Sequence, residues 1–283
     1  MPHHASRTQN HLLSARILNP PFWRDIVELS IVCIAALLAS ALTLFSGFGL
    51  GTLLMPVVAL FFQLGLAITM TAMVHLANNL FKIGLLGRKA NASVLLKFGL
   101  PAVAAAFVGA ALLTFLGELK PIYEYHALGG NRQVSVLKLI IGVLIISFVV
   151  LERSPTFSKA ALDQKWLPLG GAISGFFGGL SGHQGAFRSM FLSKVGLEKE
   201  TFVATGVVLA VMVDLSRMVI YGVSVSAHSD AVEWPLVIGA SISAFAGAYV
   251  GAQMLKKVTL QSVQLMVSAL LIVVGCGLIA GVL

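Results

Sequence analysis

Long apolar stretches separated by short polar ones run through almost the whole chain. The apolar stretches fall near 27–45, 52–63, 65–87, 94–117, 135–151, 168–195, 201–222, 233–255 and 260–282. Most of them approach or exceed the roughly 20 residues that a helix needs to cross a bilayer. The stretch 52–63 and the apolar runs on either side of Ser181 are too short to cross alone, which predicts half-helices or re-entrant hairpins. We therefore expect an all-α polytopic membrane protein.

The composition supports a membrane location. The chain of 283 residues is 58% hydrophobic and only 11% charged, whereas a soluble domain carries about 25% charged residues. The basic residues behind its net charge of +8 lie mostly in short loops beside helix ends, so no nucleic-acid partner is expected. Cys33 and Cys276 lie inside apolar stretches without metal-like spacing, and we expect neither a metal nor a cofactor.

Two glycine-broken apolar segments repeat at a constant offset of 135 residues. The first runs Ser46-Gly47-Phe48-Gly49-Leu50-Gly51, and the second runs Ser181-Gly182-His183-Gln184-Gly185. The same offset, without a gap, pairs Asn79 with Asp214 and Lys82 with Arg217. A duplicated broken segment with polar residues beside it is typical of secondary transporters, which bind their substrate near the bilayer midplane.

The repeat divides the chain into four parts. These are a polar N-terminal tail (1–25), a first membrane repeat (26–152), an inter-repeat loop (153–166) and a second membrane repeat (167–283). Each repeat is predicted to hold a glycine-broken or re-entrant segment and three transmembrane helices. Three crossings per repeat would invert the second repeat and, with the basic loops inside, place both termini outside. The basic tail favours the cytoplasm instead, so a first broken segment that crosses the membrane completely is an open alternative. The number of full spans, seven or eight, stays open with it.

The glycine breaks predict an anion site. Five glycines let the backbone leave helical geometry inside the membrane: Gly47, Gly49, Gly51, Gly182 and Gly185. Such breaks must be buried in protein or line a wet cavity, because unpaired amides are costly in hydrocarbon. Helices that start near Thr52 and Ala186 would direct free N–H groups and a positive dipole end at the gap, which favours an anion. A packing kink is the structural alternative, but two breaks at matched positions favour a substrate site.

Polar residues also lie within the predicted helices. One face of the helix 65–87 carries four of them at i, i+3, i+4 and i+7: His75, Asn78, Asn79 and Lys82. Lys82 could extend its amine to the interface, but its counterpart Arg217 also lies within a helix, which favours a functional role. Asp214 and Arg217 can form a structural clamp or a gate that opens for substrate. We assign coupling or gating to three residues: His75, Asn78 and Asp214.

The second break and the turn that follows it contain His183, Gln184 and Arg188. A guanidinium there can bind an oxyanion through two hydrogen bonds, and His183 can donate to an anion or titrate near neutral pH. An interface anchor is the structural alternative for Arg188. The residues assigned to substrate binding are Ser46, Gly47, Phe48, Gly49, Gly51, Asn79, Lys82, Ser181, Gly182, His183, Gln184, Gly185, Arg188 and Arg217.

Small residues recur at helical spacing in two other segments. They are Ala102, Ala106, Gly109 and Ala110 in one segment, and Gly239, Ser243, Gly247 and Gly251 in the other. Helices in lipid associate through such small faces, because water supplies no driving force there. We interpret both faces as packing surfaces rather than functional ones.

These motifs resemble the sulfite exporter TauE/SafE family. The likeness rests on 46–51 with Pro56, on 75–82, and on 178–185 with Arg188, and it covers about 30–282. The resemblance implies a multi-pass permease of the bacterial inner membrane that moves sulfite, sulfonates or related sulfur oxyanions. Related thiosulfate carriers use a cysteine at the pore constriction. Neither break contains one here, so sulfur-exchange chemistry is not expected.

These features together predict a secondary transporter, and not an enzyme, that exports a small sulfur oxyanion. The substrate is expected between the two breaks. Rocking of the two repeats would open this binding site to one side of the membrane and then to the other. The expected partners are the small anion and the lipid bilayer, and a homodimer is left open.

The main alternative is a rhomboid-like intramembrane serine protease, because 179–182 reads as its Gly-x-Ser-Gly motif. Such a serine needs a histidine base within hydrogen-bond reach. His183 is expected to lie too close in sequence to oppose Ser181, and His228 falls in a polar loop. A cation channel or metal permease is a third alternative, but Asp214 is the only carboxylate well inside a predicted helix.

Overall fold

The computed structural model describes residues 21–46, 49–86, 89–127, 130–154, 163–193, 195–227, 232–254 and 260–283. In this part the chain forms a series of helices and one β-hairpin. The helices are α1 Pro21–Ser46, α2 Leu50–Val58, α3 Leu64–Leu86, α4 Ala92–Glu118, α5 Val136–Arg153, α6 Leu167–Ser181, α7 Gly185–Leu192, α8 Lys199–Ala227, α9 Trp234–Met254 and α10 Leu260–Ile279. A π-helical turn, Leu95–Gly99, lies within α4, and a 3₁₀ turn, Gln164–Trp166, leads into α6.

The helix lengths confirm the expected all-α polytopic membrane protein. Five helices are long and apolar enough to cross a membrane: Asp25–Thr43, Leu64–Gly84, Ala92–Glu118, Lys199–Val223 and Trp234–Gly251. Two further apolar helices, Val136–Leu151 and Ser268–Ile279, are shorter. Many large apolar side chains on these helices are exposed, as expected for surfaces that face lipid.

Both predicted helix breaks are present. α1 ends at Ser46 and α2 begins at Leu50, and α2 has only nine residues. α6 and α7, with 15 and eight residues, are separated by a short turn in which Gly182 has a left-handed φ of 81°. Neither α2 nor α7 can cross a bilayer alone, as the sequence predicts. They start at Leu50 and Gly185, one or two residues before the predicted starts.

The helix that precedes the first break, α1, is longer than a half-helix. The 26 residues of α1 extend about 39 Å at 1.5 Å per residue, and its stretch Asp25–Thr43 is long enough to cross the bilayer. This length suits the alternative in which the first segment crosses completely. α1 also begins at Pro21, inside the range assigned to the polar tail, and residues 1–20 of that tail lie outside the described part.

Two helix pairs pack with their backbones in contact. α6 lies on α4, where a Cβ added to Gly109 would fall 2.1 Å from the carbonyl oxygen of Phe176. α9 lies on α1, where a Cβ added to Gly247 would fall 2.1 Å from the carbonyl oxygen of Leu37. No side chain larger than hydrogen fits at such distances. The interpretation of both small-residue faces as packing surfaces is therefore confirmed.

Other helix pairs join elements that occupy corresponding places in the two halves of the sequence. α3 packs on α8, and α5 packs on α10. When α1–α5 are matched in order with α6–α10, the pair of α4 with α6 corresponds to the pair of α9 with α1. Two halves related by a two-fold axis would give such contacts. They support inverted repeats, which stay a prediction.

A β-hairpin between α4 and α5 is the element that the sequence analysis missed. Strand β1, Tyr123–Ala127, pairs antiparallel with β2, Gly130–Val134. Arg132 Nη1 donates to the carbonyl oxygen of Val282 at 2.9 Å, so the hairpin packs beside the end of α10. Alternation around Tyr123 and Tyr125, followed by a glycine pair at 129–130, is the local signal that predicts it.

Candidate functional site

The tips of the two broken segments touch each other. A Cβ added to Gly51, in the first turn of α2, would lie 3.8 Å from the carbonyl oxygen of Gly182. A Cβ added to Gly49 would lie 3.5 Å from Nε2 of His75, and one added to Gly182 would lie 3.0 Å from Nη1 of Arg217. The sequence predicts the two breaks but does not show that they meet. Their contact brings α2, α7, α3 and α8 together at one point.

Both short helices present uncapped N-termini at this point. The N-cap residues of α2 and α7 are Gly49 and Gln184, and neither caps its helix with a side-chain hydrogen bond. The carbonyl oxygen of Gly49 accepts from the amide of Thr52 at 3.0 Å, and the carbonyl oxygen of Gln184 accepts from the amide of Arg188 at 3.1 Å. The amides between each N-cap residue and its first donor have no partner within their own helix. Both helix ends therefore carry a positive partial charge, and the two ends lie close together.

Asp214 on α8 is the centre of a buried hydrogen-bond network. Its Oδ2 accepts from His75 Nδ1 at 2.6 Å and from Asn79 Nδ2 at 3.3 Å, both on α3. Its Oδ1 accepts from Arg217 Nη2 at 2.7 Å and Nε at 3.1 Å, and from Gln184 Nε2 at 3.4 Å. Since Asp214 is 0% exposed, these donors take the place of water. The network joins α3, α8 and the tip of α7.

The predicted polar face of α3 divides between two neighbours. His75 and Asn79 face Asp214 on α8, whereas Asn78 hydrogen-bonds with Ser40 of α1 at 3.1 Å. With its amide oxygen towards Lys82, Asn78 accepts from Lys82 Nζ at 3.0 Å. The four residues span about 100° of the helix, at 100° per residue, which is wide enough to meet different helices. Lys82, only 6% exposed, therefore lies outside the hydrogen bonds around Asp214.

Arg188 is more loosely held than Arg217. Arg188 Nη1 donates to Gln184 Oε1 at 3.4 Å, and Arg188 Nε lies 3.5 Å from the place of a Cβ on Gly206. Its side chain is half-buried. In contrast, Arg217 is fully buried, with two nitrogens on Asp214 and a third 3.4 Å from the carbonyl oxygen of Gly178. Arg188 is thus the guanidinium with hydrogen-bonding capacity to spare.

His183 borders a small cavity beside the tips. The cavity is lined by Thr52, Ile145, Phe148, Val149, His183, Ala186 and Leu271, from α2, α5, α7, α10 and the second break. The His183 ring stacks on Phe148 with 5.2 Å between ring centroids. The sequence analysis missed Phe148 as a site residue, because nothing local distinguishes it from other membrane phenylalanines. Thr52 could have been found as a polar residue in the first turn of α2.

His183, which was expected to lie too close in sequence to oppose Ser181 readily, does reach that residue. The left-handed turn at Gly182 brings His183 Nδ1 to 3.1 Å from both the carbonyl oxygen and Oγ of Ser181. A carbonyl oxygen can only accept, so the bond to it places the proton on Nδ1. A protonated Nδ1 cannot remove a proton from Ser181, whose Oγ donates to the Phe177 carbonyl oxygen at 3.1 Å. With the proton on Nδ1, His183 does not serve as the base that a serine protease needs.

Three predicted site residues lie wholly or partly outside the described part of the chain. Gly47 and Phe48 lie outside the described residues, as does the side chain of Ser46 at the end of α1. Gly185 is described and begins α7.

Comparison with known families decides the class of protein. A family model described as sulfite exporter TauE/SafE matches residues 32–278, nearly the whole chain. The chain belongs to the sulfite exporter TauE/SafE family. At the level of this family it is a multi-pass membrane transporter of sulfite or related anions, and its relatives are transporters rather than enzymes. No curated protein and no solved structure matches the chain.

The charges of this TauE/SafE protein are unbalanced around the tips. The described side chains of this region include three basic ones, Lys82, Arg188 and Arg217, and one carboxylate, Asp214, and of these three Arg217 is the one whose described hydrogen bonds reach it. Ionised groups are costly inside a membrane unless they are compensated. The site therefore favours an added negative charge.

Proposed function

We propose that this TauE/SafE protein is a secondary transporter that exports a small sulfur oxyanion, sulfite or an organosulfonate, across the bacterial inner membrane. The substrate binds between the tips of the two broken segments. The excess of positive charge around those tips is the observation that carries this proposal. An anion that enters the site adds a second negative charge beside these basic side chains, where Asp214 is the one carboxylate among the described residues.

Arg188 is the side chain that binds the oxyanion directly. Its long bond to Gln184 leaves most of its five N–H donors available, and the planar guanidinium matches two oxygens of a sulfur oxyanion. The free amides at the starts of α2 and α7 supply further donors without adding a full charge. Arg217 is committed to Asp214 and positions the second break rather than holding the substrate.

The network around Asp214 acts as the gate. It ties α3 and α8 to the second tip through Gln184, whose bond to Asp214 is the longest of the set at 3.4 Å. When an anion engages Arg188 and the α7 amides, Gln184 is the contact that can break first. Release of the tip then lets the two halves move relative to each other, as alternating access requires.

Direct binding tests the role of Arg188. We expect the variant Arg188→Gln, purified in lipid nanodiscs, to bind sulfite at least about tenfold more weakly than the parent, since it loses a charge-assisted bond of roughly 1.5–3 kcal/mol. The matched control is Arg153→Gln, which removes an exposed arginine at the end of α5 and should leave the affinity unchanged. Equal sulfite affinity in folded Arg188→Gln and the parent would contradict this role.

A further inference from the structure

The small cavity beside the tips holds a buried nitrogen that has no partner. We propose that His183 takes up one proton at Nε2 for each anion that the site binds, so that anion and proton enter together. This inference rests on the proposed transport of an oxyanion. It places proton coupling at His183 rather than at His75 or Asp214, two of the residues to which the sequence assigns coupling or gating.

The hydrogen bonds of His183 fix which nitrogen is available. Nδ1 carries its proton towards the carbonyl oxygen of Ser181, so in the neutral ring Nε2 is a lone-pair acceptor. The side chain is 4% exposed, and Nε2 has no hydrogen-bond partner within the described residues. A buried polar atom without a partner is costly. The cavity that His183 lines is large enough for about one water molecule, so an anion can become the partner of Nε2 only when the tips part.

A bare oxyanion does not suit that lone pair. Oxygen of a fully ionised anion also presents lone pairs, so it would be repelled by the neutral ring. A proton between the two removes the repulsion and makes a charge-assisted hydrogen bond. With hydrogen sulfite, the proton moves from the oxygen to Nε2: the O–H bond breaks, the N–H bond forms, and an imidazolium faces the dianion. With an anion that carries no proton, the proton comes from the water phase.

The surroundings of His183 link the proton to the anion. The charged group that acts on it is Arg217 on α8, and its positive charge opposes a second one on the ring. The neighbours that line the cavity from α2, α5 and α10 are uncharged: Thr52, Ile145, Phe148, Val149 and Leu271. A positive charge on the ring would therefore lie near the guanidinium of Arg217, in a lining that holds no described carboxylate. An anion supplies the missing counter-charge, so the proton binds only with it.

His75 lacks this freedom. Its Nδ1 donates to Asp214 at 2.6 Å, and Asn79 Nδ2 lies 3.3 Å from its Nε2. Its Nδ1 is therefore committed to Asp214, and the Asn79 amide, which is also 3.1 Å from Nδ1, lies against the ring. We assign His75 to holding the gate in place, and we assign the transported proton to His183.

Calorimetry of sulfite binding counts the protons. The purified full chain in lipid nanodiscs is titrated at an alkaline pH where free sulfite is the dianion, in two buffers with different ionisation enthalpies. We expect the parent to take up about one proton per sulfite bound. His183→Gln should take up about none and still bind, because its amide can donate to the dianion. His75→Gln and the exposed control His126→Gln should both keep about one.

The outcomes separate the two proposals. Sulfite binding without proton uptake by the parent would overturn the role of His183 and leave the proposed transport intact. One proton retained in His183→Gln, or lost in His75→Gln, would also overturn it. If the parent bound neither sulfite nor a sulfonate, the proposed substrate class would fail, and this inference would fail with it.

Discussion

At the scale of single residues, Asp214 holds more of the site together than any other described side chain. It accepts hydrogen bonds from His75, Asn79, Gln184 and Arg217, which come from three separate elements. A buried carboxylate with this many donors stabilises a fold only while the donors stay paired. The same residue therefore serves stability and, in our proposal, the gate.

The variant Asp214→Asn should destabilise the protein strongly. It keeps the shape of the side chain but leaves the guanidinium of Arg217 buried without a counter-charge, which costs about 3–5 kcal/mol when a buried pair is broken. Thermal unfolding in detergent should show a clearly lowered Tm. The control Glu200→Gln removes the carboxylate of an exposed pair with Lys89 and should change the Tm little. Similar Tm values for the two variants would refute this account of Asp214.

At the scale of elements, glycines do two different things in this chain. In α6 they let the helix approach α4 until backbone touches backbone, as where a Cβ on Gly175 would fall 2.0 Å from the Ala102 carbonyl oxygen. At the second break, Gly182 adopts a left-handed φ and lets the chain reverse between α6 and α7. The first role fixes where the tips lie, and the second builds the tip itself.

Substitution of Gly175 tests the packing role. We expect Gly175→Ala to force α6 away from α4 and to destabilise the protein by roughly 1–3 kcal/mol or more, because backbone atoms cannot move aside as side chains do. Gly84→Ala is the matched control, since that glycine also lies in a helix but a Cβ there meets nothing within 4 Å. Unfolding temperatures and size-exclusion profiles in detergent compare the two. Indistinguishable variants would argue against the close contact.

At the scale of the whole molecule, the sequence predicts what is local and misses what depends on neighbours. Glycine spacing predicts both breaks, and the paired positions of Asn79 and Asp214 anticipate that they belong to one site. The division of the α3 face could not be predicted, because helical spacing shows that Asn78 and Lys82 share a side but not which helix covers them. The β-hairpin falls outside the predicted membrane spans, and its alternation extends over only the few residues around Tyr123 and Tyr125.

The central claim is that the protein moves a sulfur oxyanion through the site where the tips meet. Uptake of labelled sulfite by proteoliposomes that contain the purified full chain tests it most directly, with protein-free liposomes and Arg188→Gln as controls. We predict saturable uptake that an organosulfonate inhibits and that Arg188→Gln greatly reduces. Folded, inserted protein that gave no saturable flux of sulfite or of an organosulfonate above the protein-free control would contradict the account.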